Sequence, residues 1–218
     1  MNKKIAIAVA LIILLTTYSS REKITISNFN LKKIIIENNY LLKKKDLKEM
    51  LSPIYEKNIL FLNNTKIEKI LIQNDFIRSF KLKKKYPDTI KIIIFEAKPI
   101  AVLQKEKNKF YLTEDINLIE YRNFKNFQDL PYVFGSKEQF KIFYNNLKKI
   151  NFPLKLIRRY SLYESKRWDI ETVDKKIIKL PSNNYIKSLE NYLDLINKNE
   201  FLKYKVFDYR LNNQLILK

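Results

Sequence analysis

Cysteine and histidine are both absent from the 218 residues. Without cysteine there is no disulfide, no thiolate nucleophile and no zinc–thiolate site, so the chain carries no mark of its redox compartment. Without histidine the commonest general base and metal ligand is gone, and acid–base chemistry is left to carboxylates, lysine and tyrosine. The composition argues against an enzyme, and it supplies no catalytic residue, no metal site and no cofactor site. Glycine and tryptophan occur once each, at Gly135 and Trp168. Acidic residues are scarce, 23 against 43 Lys plus Arg, for a formal charge of +20. An excess of that size ordinarily points to nucleic acid or an anionic membrane through counterion release. Here the bases are mostly lysine and evenly spread, beside abundant Ile, Asn, Phe and Tyr, the pattern of an AT-rich coding sequence; we read the excess as compositional drift, with no nucleic acid as partner. With 46% hydrophobic residues the chain can bury a core, which excludes general disorder.

The longest apolar run lies at the start. Residues 5–15 follow Lys3 and Lys4 and continue through Thr16, Thr17 and Tyr18 to the charged Arg21, Glu22 and Lys23. A helix over residues 5–20 would reach roughly 24 Å, short of a hydrocarbon core of about 30 Å. An uncleaved transmembrane anchor is the preferred reading, with the flanking basic side chains snorkelling. A cleaved signal peptide is the rival, with Thr17-Tyr18-Ser19 as a poor small-x-small site.

Downstream, residues 31–38 are β-branched and end on Asn38-Asn39, a pair suited to a left-handed turn. Leu47, Met50, Leu51 and Ile54 form one helical stripe closed by Pro53; Asn63, Asn64 or Thr65 caps a second helix whose buried face is Ile67, Ile70 and Leu71. Phe76, Phe80 and Leu82, then Ile90, Ile92 and Ile94, alternate as two strands around Tyr86-Pro87-Asp88-Thr89. After Lys98 come short strands at residues 100–103 and 110–112, then a turn around Asp115 and Asn117. A helix follows behind a possible Ser136/Gln139 capping box, with Phe140, Phe143, Tyr144, Leu147 and Ile150 on its apolar stripe. Strands are expected at 156–163, 167–173 and 176–180, with Asp174-Lys175 as a hairpin turn. A helix opened by Pro181-Ser182-Asn183 carries Ile186, Leu189, Leu193 and Ile196 inward, and extended pieces at 204–211 and 214–217 end the chain.

Several of these segments together resemble the FtsQ/DivIB family of bacterial cell-division proteins. Residues 34–39 stand where that family has a strand followed by Gly-Asn. Asn58-Ile59-Leu60-Phe61-Leu62 falls where it links two helices, and Tyr86-Pro87-Asp88-Thr89-Ile90-Lys91-Ile92 is similar to its hairpin. Glu96-Ala97-Lys98-Pro99 is similar to the exit from its POTRA domain. Leu130-Pro131-Tyr132-Val133-Phe134-Gly135 resembles the family's Leu-Pro-x-Val-x-Gly; a positive φ would explain why the single glycine stands there. Arg167-Trp168-Asp169-Ile170, Lys176 to Pro181, and Asp208-Tyr209-Arg210 are similar to its most recognisable stretches. The sequence departs from the pattern at Asn38 for Gly, Lys43 for a capping Ser and Asp75 for Pro.

The resemblance implies an α+β chain. It would have a short cytoplasmic tail and a transmembrane helix over residues 1–23, a POTRA-like βααββ domain over 24–97, and a mixed β-sheet domain with flanking helices over 98–218. It further implies a single-pass inner-membrane protein with its domains in the periplasm at the division septum. There it would bind FtsB and FtsL and connect to the septal synthase complex (FtsW/FtsI). In that family the last strands offer an open sheet edge to FtsB, which carries over to Arg210, Leu211, Asn212, Asn213, Gln214, Leu215 and Ile216. The alternative is a POTRA protein of outer-membrane assembly or secretion, which would need a barrel for which the chain has no strand pattern.

Plainer readings stand beside these. A lone Trp168 on an alternating strand is a core residue first and a partner anchor second. Lys43-Lys44-Lys45 and Lys83-Lys84-Lys85 read as solvated charge before lipid or cell-wall contacts. Glu114-Asp115 and Glu171 with Asp174 are the carboxylate groupings open to acid–base work, and both sit in expected turns.

Overall fold

The structure, a computed structural model, describes residues 3–17, 26–211 and 214–218. It divides into two compact units, Met1–Phe95 and Glu96–Lys218. The chain opens with α1 (Lys3–Thr17), 15 residues of nearly pure aliphatic sequence. At 1.5 Å per residue it is about 22 Å long. No helix among the described residues is long and apolar enough to cross a membrane. The expected span over 5–20 falls on this shorter helix only as far as Thr17, so a membrane crossing is not established by it; Tyr18, Ser19 and Ser20 lie outside the described residues, as do Arg21, Glu22 and Lys23. The apolar side chains of α1 are uncovered, from 49% exposed at Val9 to 75% at Leu15.

The rest of the first unit runs β1 (Lys33–Glu37), α2 (Lys44–Met50), a 3-10 turn at Ser52–Ile54, α3 (Asn64–Leu71), β2 (Ile77–Lys85) and β3 (Thr89–Glu96). The sheet order is β1-β3-β2, with β1 parallel to β3 and Ile34 and Ile36 opposite Ile90 and Ile92. Period-two alternation sends those isoleucines and Ile94 inward, where they are buried with Leu47, Leu51, Ile67 and Leu71 of the helical layer. Asn63 caps α3 by accepting from the Thr65 N–H at 3.0 Å, whereas Lys43 precedes α2 with no side-chain cap. Asn38 leaves β1 at φ 62°, and its side chain donates to the Ile94 carbonyl at 2.8 Å. Asparagine tolerates the left-handed region, and that bond fixes the turn that glycine would otherwise make.

The second unit is a nine-stranded sheet in the order β12-β11-β10-β9-β8-β7-β4-β5-β6. Its strands are β4 (Pro99–Lys105), β5 (Asn108–Thr113), β6 (Leu118–Glu120), β7 (Tyr132–Phe134), β8 (Ile157–Leu162), β9 (Trp168–Thr172), β10 (Ile177–Lys179), β11 (Val206–Asp208) and β12 (Ile216–Leu217), with helices α4 (Lys137–Lys149) and α5 (Tyr185–Ile196). β7 runs parallel to both β4 and β8, and β10 parallel to β11. One apolar row crosses the sheet in register, Leu103–Val133–Tyr160–Ile170–Ile178–Phe207–Leu217. The helices cover that face. Phe140 of α4 meets Tyr160 at 5.1 Å, Phe143 stacks on Trp168 at 4.8 Å, and Tyr192 of α5 meets Phe207 edge-on at 4.9 Å. Trp168 is thus a core residue. Ser136 caps α4 by accepting from the Gln139 N–H at 3.2 Å.

Two expectations need correcting. Gly135 does not occupy positive φ. It is small because a Cβ there would lie 2.8 Å from the Leu162 Cβ and 3.2 Å from the Trp168 Cη2. The inner face of α5 is also rotated from the expected stripe: Leu189 and Tyr192 are buried while Ile186 is exposed. Tyr185 turns inward instead, and its hydroxyl accepts from Asn146 Nδ2 at 2.7 Å.

Candidate functional site

β12 closes one end of the nine-stranded sheet, and among the described residues it pairs with β11 alone. Lys218 and Val206 exchange both main-chain bonds, Val206 N–H to the Lys218 carbonyl at 2.9 Å and Lys218 N–H to the Val206 carbonyl at 3.1 Å. Antiparallel pairs alternate between bonded and unbonded. Leu217, opposite Phe207, is therefore an unbonded position whose N–H and C=O point away from β11, while Ile216, opposite Asp208, points its own toward β11. The same parity turns Leu215 outward. The edge thus offers main-chain groups at Leu215 and Leu217, and those two side chains pack partly buried against the core.

On the face away from the helices a second row runs in register, Gln104–Phe134–Ser161–Asp169–Lys179–Asp208–Ile216. Its charges alternate next to the edge. Asp208 is 7% exposed and receives Arg210 in a forked pair, Nε to Oδ1 at 2.8 Å and Nη2 to Oδ2 at 2.6 Å. Arg167 makes the same i, i+2 contact with Asp169, Nη1 to Oδ1 at 2.8 Å. The Arg210 guanidinium holds the Asp208 carboxyl below its ordinary range against the pull of burial, with Lys179 helping. At Asp169 burial wins and pushes the carboxyl up despite Arg167 and Lys179.

The two carboxylates therefore act oppositely on stability. Asp208, depressed in the fold, contributes above its unfolded value near 3.9, and that contribution fades as pH falls through its folded value. Asp169, raised in the fold, costs stability once ionised and is relieved by protonation. Asp208→Asn is expected to destabilise the second unit at pH 7, with the difference from the parent shrinking as pH drops below about 4; denaturation followed by Trp168 fluorescence at several pH values measures it. A difference that stays constant to low pH would show that the forked pair contributes nothing through its charge.

Beside the edge, a groove of 590 Å³ is bounded by α5 and the chain around β12, including Asn191, Tyr209, Leu211, Gln214 and Leu215. Tyr209 OH donates to Asn191 Oδ1 at 3.0 Å and thereby ties α5 to the end of β11. Among the expected edge residues, Arg210 is exposed but engaged with Asp208, Leu211 is 53% and Ile216 39% exposed, Gln214 is exposed and Leu215 half-buried. Asn212 and Asn213 lie outside the described residues. Asp208, Lys179 and Asn191 complete the arrangement; the first two stood in the sequence only as parts of motif stretches, not as site residues, and Asn191 was not singled out. The Asp-x-Arg spacing could have found the first, since i and i+2 share a strand face.

Of the carboxylates held open for acid–base work, Glu171 and Asp174 are engaged by neighbouring side chains. Glu171 pairs with Arg159 at 3.2 Å and Arg158 at 3.5 Å. Burial would raise Asp174, but hydrogen bonds from Thr172 and Lys176 outweigh it and leave the carboxyl lowered. Among the described residues no three Asp or Glu side chains gather as metal ligands.

Residues 29–97 match the family model described as "POTRA domain, FtsQ-type". The cell-division protein FtsQ of Rickettsia bellii is 28% identical over 196 residues, covering 85% of this chain and 71% of that protein, and so reaches both units. The chain is similar to cell-division proteins of the FtsQ/DivIB family. Another relative, DivIB of Clostridium acetobutylicum, is 29% identical over 94 residues, 43% of this chain and 38% of that protein. Among solved structures, the major extracytoplasmic domain of DivIB from Geobacillus stearothermophilus aligns with 45% of this chain and 89% of that one, at 16% identity and a TM-score of 0.32. The POTRA-type match over residues 29–97 thus takes in the sheet and helical layer of the first unit, and the second unit is a β-sheet domain.

Proposed function

We propose that this chain is a non-catalytic scaffold of the divisome, of the FtsQ/DivIB kind. α1 anchors it in the inner membrane with both folded units in the periplasm at the septum, and the β12 edge takes up a strand of FtsB from the FtsB/FtsL pair, linking it to the septal synthase complex (FtsW/FtsI). The uncovered aliphatic surface of α1 supports the anchor, because such a surface has no stable place in water. The observation that carries the partner reading is the β12 edge, whose outward main-chain groups at Leu215 and Leu217 suit strand addition beside a groove that can take alternate side chains. Residues 210–216 would form its surface. Arg210 would meet the partner as a guanidinium already oriented by Asp208 and not as a free charge.

The register names the informative variant. Proline at Ile216 would remove a donor that faces β11 and so undo β12 itself. Proline at Leu217 removes an outward donor and leaves the inward bonds of Ile216 and Lys218 in place, which an edge strand accommodates. Calorimetric titration of the full chain in nanodiscs with the extracytoplasmic FtsB/FtsL segment of the same organism is expected to show saturable binding that survives moderate salt. Leu217→Pro should weaken it by about tenfold or more, the order of one lost hydrogen bond plus a clash. Undiminished affinity in Leu217→Pro would remove the edge from the interface, and no binding by the parent would remove the partner.

A further inference from the structure

The POTRA sheet has a face that its helices do not cover. Ile34, Ile36, Ile90, Ile92 and Ile94 point to the helical layer, so alternation places Lys33, Ile35 and Glu37 of β1 and Lys91, Ile93 and Phe95 of β3 on the other side. Lys81 of β2 joins them, its ammonium 5.5 Å over the Phe95 ring, and Lys83 and Lys85 follow by the same parity. Alternation also sorts the lysine run at the end of β2. Lys84 turns to the helical side and donates to the Leu62 carbonyl at 2.8 Å, while Lys83 and Lys85 do not.

The uncovered face therefore carries Lys33, Lys81, Lys83, Lys85 and Lys91 against one carboxylate, Glu37, which Lys91 engages at 2.6 Å. Among the described residues no ion pair engages Lys33, Lys83 or Lys85. The middle of the face is half-buried and apolar, Ile35, Ile93 and Phe95. A basic rim around a modest apolar centre fits a surface that is anionic above and hydrocarbon beneath. Chain length places such a surface within reach: eight residues, 18–25, lie between α1 and the rest of the first unit, and eight residues span at most about 30 Å. Tethering at that range gives the face a high local concentration of headgroups.

The geometry points to a lipid surface as the occupant: the open face of the POTRA sheet docks on an anionic bilayer through Lys33, Lys81, Lys83 and Lys85, with Phe95 and Ile93 at its centre. This rests on α1 being the anchor. Each lysine near an anionic leaflet is worth about fivefold in partitioning, and the attraction falls off within a Debye length of about 8 Å at physiological salt.

The cysteine-free chain allows clean single-site labelling. Full-length chains with a fluorophore at Ser79→Cys, on the open face, or Thr65→Cys, on α3, are placed in nanodiscs carrying a headgroup spin label. The discs contain phosphatidylglycerol with phosphatidylcholine, or phosphatidylcholine alone. The Ser79 label is expected to be quenched in the anionic discs, to return to the phosphatidylcholine level with added salt, and to lose its quenching in K81E/K83E/K85E; the Thr65 label should stay unquenched. The salt titration needs no charge variant and so stands even if the triple variant folds poorly. Equal quenching at both positions, or quenching at Ser79 indifferent to lipid charge and salt, overturns the docking. It would leave the face to an acidic protein partner. A chain that fails to enter nanodiscs overturns the anchor instead, a different result from one that enters and is not quenched.

Discussion

Phe143→Ala should lower the stability of the β-sheet domain by about 3–5 kcal/mol, the range for deleting a fully buried aromatic. Phe143 is 1% exposed, stacked at 14° on Trp168, edge-on to Tyr160 at 6.3 Å and against Tyr185 at 5.2 Å. Truncation removes the transfer free energy of the ring, leaves a cavity between α4 and β9, and ends these ring contacts, each worth about 0.5–1.5 kcal/mol beyond area. Trp168 is the only tryptophan, so its fluorescence reports this unit's unfolding separately from the POTRA domain's. Phe143→Leu, which loses the same ring contacts but leaves a smaller cavity, should cost less than Phe143→Ala. Equal losses for the two variants would mean that cavity volume contributes nothing at this position.

Gly135→Ala is expected to cost about 1–3 kcal/mol through overpacking. The added Cβ would sit 2.8 Å from the Leu162 Cβ, an atom fixed to the β8 backbone, and 3.2 Å from the Trp168 ring. Neither neighbour can swing aside as a flexible side-chain tip would. Gly135→Asn separates this cause from backbone strain, since asparagine tolerates positive φ and would be accepted if conformation were the reason for glycine. With crowding as the cause, Asn should destabilise at least as much as Ala, as measured by denaturation through Trp168. A well-tolerated Asn beside a harmful Ala would restore the conformational explanation.

The POTRA domain was largely legible because its determinants are local. The alternation of Ile34 and Ile36 and of Ile90, Ile92 and Ile94, the cap at Asn63, and the left-handed tolerance of Asn38 each work within a few residues. The β-sheet domain was legible in its longer elements and not in β6 and β7, which are three residues each. Such strands are too short to show a period, and β7 is held by parallel partners from distant segments. The face of α5 was misjudged because an apolar count favours Ile186, whereas Tyr185 and Tyr192 bury large rings through tertiary contacts, the Tyr185 hydroxyl with Asn146 and the Tyr192 ring with Phe207. At the edge, extended structure was expected over 204–211 and 214–217, yet the ladder holds only Val206–Asp208 and Ile216–Leu217. Which backbone groups face outward depends on register, and register is set by the fold around Phe207 and Lys218.

The sheet narrows toward that edge: β8 has six residues, β9 five, β10 and β11 three each, and β12 two. A ladder that short opens locally at a small fraction of the global unfolding free energy. Amide protons at the end of β11 and in β12 should therefore exchange early, long before those of β8 and β9. A strand added to β12 would have to supply the ordering free energy of this fringe before showing net affinity, and in return would convert the fastest-exchanging corner of the sheet into an interior one.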